Sequence, residues 1–336
     1  MNGTWKPRIA SIALLVIGVA FLVLSSRQTA SVGAAAAAQA PQSQGAAEGV
    51  RVVKGAIDMH FHMDAPAVAG RGGQATVALI RAAQARGVRG LMLKNHYEPT
   101  ATLAYHLQIE MPNFPLFGGI VMNRANGGMN PAAVEYMSNH IVGSPGRIVW
   151  MPAGDTESEV KVSSNPKGPF VAVTKNGQLT PETKEVLGLI AKDHRLILAS
   201  GHVPAAEALL LFTEGKRMGI THMIATHAMD FFPGDKPVKM TIPEMQQAAK
   251  LGAILEFDMR NMFNDGAVRA DAIRAIGSEN CFISEFWTKN NPREYAEPNA
   301  MGEFVKKMKA KGFTDHDLDV MFRTNPAKLL ELPVLP

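Results

Sequence analysis

From Gly55 onward, short apolar runs alternate with stretches of helical periodicity. Val52, Val53, Ala56 and Ile57 lead into Asp58-Met-His60-Phe-His62 and predict a first strand. Residues 76–86 then carry Val77, Ile80 and Ala83 on one face, and Gly87 ends that helix. Further strands are expected at 88–93, 116–122, 147–151, 195–199, 222–225, 253–257 and 281–284. The intervening helices begin at Thr100, at Asn130-Pro131, at Pro181 and at Pro204, and others cover 242–251 and 267–276. Two more helices, 301–311 and 315–324, close the chain. One excursion, 153–180, breaks the alternation. Within it, Asn176-Gly177 between two β-prone runs signals a hairpin.

Eight strands alternating with helices predict an α/β chain folded as a single-domain (β/α)8 TIM barrel over residues 51–336. A doubly wound open sheet is the alternative. The barrel is preferred because no Gly-rich phosphate turn follows the first strand.

The start of the chain departs from this pattern. Lys6 and Arg8 precede an apolar run, 9–24, which is short for a bilayer span, and small residues follow. Residues 1–34 are therefore expected to be a signal peptide, with an uncleaved membrane anchor as the alternative. The mature protein would begin near Ala35 and be exported, periplasmic or secreted. Residues 35–50, rich in Ala, Gln and Gly, are read as a disordered linker. The formal net charge of the 336-residue chain is +4, but Lys6, Arg8 and Arg27 supply three of those charges. The near-neutral remainder excludes nucleic acid as an expected partner. The lone Cys281 excludes an internal disulfide and a cysteine-rich metal site.

The candidate chemistry lies at strand ends. In a strand, His60 and His62 point to one face, about 6–7 Å apart at the backbone, so both rings can converge on a cation such as zinc. The ends of five predicted strands carry His60 and His62, Lys94 and His96, His202, His227, and Glu285. These are the ends at which such barrels build their sites. His106, His140, His194 and His316 fall in or beside helices, and His222 opens its strand at the far end. Those five read as structural or surface residues. Lys94 has a structural alternative, a salt bridge to Asp58 or Glu256.

The His-x-His strand, the later single histidines, the acid on the last strand and Asn325-Pro-Ala-Lys-Leu-Leu330 together resemble the amidohydrolase superfamily. Leu93-Lys-Asn-His96 and Phe117-Gly-Gly-Ile-Val121 resemble a poorly characterised bacterial family within it. The resemblance implies that His60, His62, His202 and His227 are metal ligands. It also implies that Glu285, standing where the superfamily has Asp, binds metal and moves the proton of the attacking water. Many members bridge two metals with a carboxylated Lys or a Glu on the fourth strand. Here that strand offers Trp150 and Pro152, which leaves Lys94 as the candidate bridge and makes one ion, rather than two, the simpler expectation.

The expected activity is metal-dependent hydrolysis of an ester, lactone or amide in a small-molecule substrate. Glu285, Lys94 and His96 are its catalytic candidates: Glu285 as base, the other two stabilising the developing oxyanion. Arg124, Arg260, Lys289 and Arg293 suggest an anionic group on the substrate, or else are solvated loop charges. Trp287 follows the last strand, and the 153–180 excursion is a candidate lid. A decarboxylase of a small acid and a decayed binding protein on the same barrel are the alternatives. A homo-oligomer is compatible with the sequence.

Overall fold

The computed structural model describes residues 44–63, 77–229, 240–287 and 295–335. The expected signal or anchor segment, Lys289, Arg293 and the side chain of Arg260 lie outside these residues. Ten strands are described: β1 (Ile57–His62), β2 (Gly90–Lys94), β3 (Leu116–Val121), β4 (Gly146–Trp150), β5 (Thr174–Lys175), β6 (Gln178–Leu179), β7 (Ile197–Ala199), β8 (Met223–Ala225), β9 (Ala253–Asp258) and β10 (Cys281–Ser284). Eight of them form one sheet in the order β1-β2-β3-β4-β7-β8-β9-β10, and every neighbouring pair is parallel. Each expected barrel strand is thus present, in chain order, with helices between. The remaining pair, β5 and β6, is the antiparallel hairpin signalled by Asn176-Gly177, both of which adopt positive φ.

The strands are buried on both faces, which explains their near-continuous apolar runs. One apolar layer fills the interior, with Ile57 and Met59 of β1 packing against residues such as Met92, Ile148, Ile224 and Phe282. Ala327, Leu329 and Leu330 join this layer, so the C-terminal Asn325-Pro segment plugs the end of the barrel opposite the histidines. Asn325 fixes the plug by donating Nδ2–H bonds to the carbonyls of Ser278, Glu279 and Cys281. A second, larger layer lies between the sheet and the surrounding helices.

The glycines of Phe117-Gly-Gly-Ile-Val121 are required by close approach. A Cβ on Gly118 would collide with the backbone of Ala101 at the start of helix Ala101–Glu110. On Gly119 it would stand 2.5 Å from the Ile148 carbonyl oxygen and 2.6 Å from the Trp150 ring. Thr100 is the N-cap residue of that helix but makes no side-chain cap bond. Its hydroxyl instead donates to Leu93 O at 2.6 Å and accepts from Gly119 N at 2.9 Å, tying β2 to β3.

One expectation is corrected. Residues 44–50 of the supposed linker belong to a helix, Gln44–Val53, that buries Ala46, Gly49, Val52 and Val53. The small residues read as disorder serve instead for close packing. A Cβ on Gly49 would strike Pro298 O, and one on Gly302 would strike Gly45 O, so this helix and helix Pro298–Ala310 meet backbone to backbone. Arg51 adds ion pairs to Asp315 at 2.5 Å and Asp319 at 3.2 Å.

Candidate metal centre

The first strand aims its histidines by a local irregularity. Ile57 and Met59 point into the barrel, so strict alternation would turn His60 and His62 outward with Asp58. The pairing of β1 with β2 shifts register between Asp58 and Phe61. This bulge reverses the parity: Phe61 joins the outer layer, and the two imidazoles come together with centroids 4.8 Å apart. His227, two residues beyond β8, completes the group with its ring 4.6 Å from that of His60.

Glu285, fully buried after β10, reaches into the middle of these rings. Its Oε1 lies 3.8 Å from His60 Nε2, 3.4 Å from His62 Nε2 and 3.6 Å from His227 Nε2. Its Oε2 accepts from Trp287 Nε1 at 3.1 Å. Both His227 (φ 47°) and Glu285 (φ 49°) adopt the left-handed backbone region, which non-glycine residues enter at a cost of order 1–3 kcal/mol.

The strain at Glu285 is held by Asp58. The Asp58 carboxylate accepts four bonds: from His60 N at 2.9 Å, Glu285 N at 3.0 Å, Phe286 N at 3.2 Å and Tyr295 Oη at 2.8 Å. It thereby joins the first and last strands at the site itself. Burial pushes the Asp58 carboxyl up from its ordinary pKa, against the pull of these donors. Burial, with the Asp58 charge and its hydrogen bond, lifts the Tyr295 phenol well above its usual value.

Carboxylates also orient the rings from behind. His60 Nδ1 donates to Glu256 Oε1 at 2.6 Å, and Ser284 Oγ donates to the same oxygen at 2.7 Å. With Nδ1–H so fixed, Nε2 carries the lone pair, and it accepts from Lys94 Nζ at 2.8 Å. Burial, followed by the positive charge of Lys94 and the neighbouring histidines, drives the His60 pKa well below 6.5, so the ring is neutral. His227 Nδ1 lies 3.7 Å from Asp258 Oδ2, and Arg269 Nη1 lies 3.9 Å from the same oxygen. His202 Nδ1 donates to Glu159 Oε1 at 2.6 Å. Burial would raise the Glu159 pKa, but the charge and hydrogen bond of His202, together with donors from Thr156 and Gly154, hold it at about 2.

The predicted residues are thus gathered unequally. His60, His62 and Glu285 form one close set of donor atoms, and His60, His227 and Glu256 form another. His202 lies outside both sets, with its ring 5.7 Å from that of His227. His96 stacks on His62 at 5.2 Å and stands 6.3 Å from His202. Lys94 is fully buried, with Nζ 5.4 Å from the Trp150 ring centroid. Trp287 stacks on His62 at 6.2 Å. Arg124 is exposed on a short 3-10 turn, Arg124–Asn126. Behind it, the buried Asn123 amide bonds the carbonyls of His96 at 3.0 Å and Ala153 at 2.6 Å, binding the loop to the site wall. Glu159 and Asp258 were not anticipated as parts of the site, and Asp58 only as a salt-bridge partner for Lys94. Glu159 alone had a local signal: Thr156-x-x-Glu159 has the spacing of a helix-capping box, although the signal carries no hint of His202.

A four-coordinate zinc-class ion with bonds of about 2.0–2.1 Å spaces its donors roughly 3.3–3.4 Å apart. The separations of 3.4–3.8 Å around Glu285 Oε1 approach that spacing, and the donors are the imidazole and carboxylate groups such ions take. The residues therefore fit a metal. For His60 Nε2 to bind it, Lys94 Nζ must give up that nitrogen.

No functionally curated protein matches the sequence. Among solved structures, the probable dipeptidase PvdM from Pseudomonas aeruginosa is 10% identical, with TM-score 0.59 and coverage of 85% of this chain and 97% of that one. An amidohydrolase from Pseudomonas aeruginosa is 11% identical, with TM-score 0.54 and coverage of 85% and 98%. A mutant organophosphorus hydrolase is 12% identical, with TM-score 0.52 and coverage of 84% and 94%. At these identities the likeness is one of fold, and the expected resemblance to the amidohydrolase superfamily holds in architecture. A family model described as a family of unknown function, DUF6282, matches residues 55–256, from the turn before β1 into β9, and the chain belongs to that family.

Proposed function

We propose that this protein is a metal-dependent hydrolase of an ester, lactone or amide in a small-molecule substrate. The observation that carries the reading is the placement of Glu285 Oε1 within 3.4–3.8 Å of three imidazole nitrogens at the mouth of the barrel. His60, His62, His202 and His227, with Glu285, would hold one divalent ion of the zinc class. Such an ion lowers the pKa of a bound water towards about 7. Glu285 takes the proton from the attacking water and returns it to the leaving group. Its second oxygen, bonded to Trp287 Nε1, keeps the carboxylate aimed at the rings. Lys94 supplies a buried positive charge beside the centre, and His96, stacked on His62, offers a hydrogen bond to the oxygen on which charge develops. Solved structures of the same fold that are named as hydrolases or amidohydrolase support the reading.

The test is a panel of aryl esters, lactones and amides assayed on zinc-loaded and chelator-stripped protein. Zinc-dependent release of an alcohol or amine is expected. No turnover of any such bond, with zinc-dependent carbon dioxide release from a small aromatic acid, would replace the hydrolase with a decarboxylase.

A further inference from the structure

We propose that Glu159 is a positioning residue of the metal centre, fixing His202 with Nε2 presented to the site. The 153–180 excursion that carries Glu159 is then a built part of the centre and not a lid. This rests on reading the centre as a metal site.

The argument starts from the chemistry of the two side chains. A neutral imidazole has one N–H, and an ionised carboxylate only accepts hydrogen bonds. In the neutral ring, the form that can bind a metal, Glu159 Oε1 2.6 Å from His202 Nδ1 places the ring proton on Nδ1 and the lone pair on Nε2. The His202 ring stands 5.7 Å from that of His227 and 6.3 Å from that of His96, beside the other site histidines. The main chain at His202 is fixed as well, with His202 N donating to Pro152 O at 2.8 Å.

Glu159 is itself held firmly. Its Oε2 accepts from Gly154 N at 2.6 Å and Thr156 Oγ1 at 2.8 Å, and Thr156 Oγ1 accepts from Glu159 N at 3.1 Å. The segment around it is bonded to the barrel in turn. Ala153 N donates to Asn123 Oδ1 at 2.8 Å, Arg124 N donates to Asp155 Oδ2 at 2.9 Å, and Val171 N donates to Asp155 O at 2.9 Å. These bonds tie the excursion to the loop after β3 on one side and to its own later half on the other. A lid that opens would have to break them and release His202 each time.

The test uses the full chain, with Zn²⁺ as the probe. Outer carboxylates on metal-binding histidines typically contribute about 10–100-fold in metal affinity. Glu159→Leu is expected to weaken Zn²⁺ binding by that factor, measured by competition with a chromophoric chelator. Glu159→Gln keeps a neutral acceptor and should fall between Leu and wild type; it also serves as the probe if the Leu variant does not fold. A purely structural role would not set a tautomer, so ¹⁵N shifts of His202 in the metal-free protein supply the second readout. Protonated Nδ1 in wild type, lost as the dominant form in Glu159→Leu, is the expected result. Wild-type Zn²⁺ affinity in both variants, or a neutral His202 ring protonated on Nε2 in wild type, would overturn the proposal. Should wild type bind no Zn²⁺, the metal reading fails on its own, and the tautomer still decides whether Glu159 positions His202.

Discussion

Glu285→Gln is expected to lower turnover at saturating zinc by about 10²–10⁴-fold, the usual contribution of a positioned proton carrier. The substitution keeps the shape of the side chain, and the amide oxygen can still accept from Trp287 Nε1, as Oε2 does at 3.1 Å. That arrangement turns the NH2 group towards His60, His62 and His227, where Oε1 now stands. An amide there cannot take a proton from water, and it is a poorer donor to a cation. The zinc affinity should therefore fall as well, and rates must be compared at full loading. The backbone remains in its left-handed conformation because the Asp58 bonds to Glu285 N and Phe286 N are untouched. Steady-state kinetics on the substrate identified from the panel provide the check. A wild-type kcat in the loaded variant would move the proton to another group, such as His96 or Lys94.

Asp58→Ala is expected to destabilise the fold by about 3–5 kcal/mol, a large share of the roughly 5–15 kcal/mol that holds a typical domain together. Four donors converge on this one carboxylate, and three of them, Glu285 N, Phe286 N and Tyr295 Oη, come from the far end of the chain. Leaving buried donors unsatisfied costs about 1–3 kcal/mol for each group that water cannot reach. Asp58→Asn keeps one acceptor oxygen and should lose less. The measurement is urea unfolding of the metal-free protein, with a lower midpoint at unchanged slope. Metal affinity should weaken in parallel, because the same carboxylate restrains His60 N and the backbone at Glu285. An Asp58→Ala protein as stable as wild type would show that the seam between β1 and β10 does not depend on this residue.

The barrel was legible because its strands are buried on both faces and therefore written as apolar runs, each closed by a polar residue. The Asn176-Gly177 hairpin was legible for a local reason, two successive residues needing positive φ. The histidines were legible as strand-end residues, yet the reason they meet was not. Alternation by itself sends His60 and His62 away from Ile57 and Met59, and only the bulge in β1 brings them inward. A bulge is set by pairing with β2 and by the Asp58 bond to His60 N, neither of which leaves a periodic signature. Asp58 was read only as a salt-bridge partner for Lys94, and Glu159 not at all, because the partners they hold are far away in sequence: Glu285 lies 227 residues from Asp58, and His202 lies 43 from Glu159. The helix Gln44–Val53 was missed for the opposite reason. Its Ala and Gly content imitates a linker, while its buried positions Ala46, Gly49, Val52 and Val53 follow helical spacing.

The central claim is that the histidines at the mouth hold a catalytic ion, and the most direct measurement is metal stoichiometry. Zinc-reconstituted, desalted wild-type protein should retain one ion per chain by elemental analysis. The His60→Ala, His62→Ala double variant, folded by circular dichroism, should retain none. X-ray absorption at the metal edge should show nitrogen and oxygen neighbours at about 2.0–2.2 Å and no sulfur, since the lone Cys281 is buried in the outer layer and not at the mouth. Full metal retention in the double variant, or a sulfur ligand in wild type, would contradict the account.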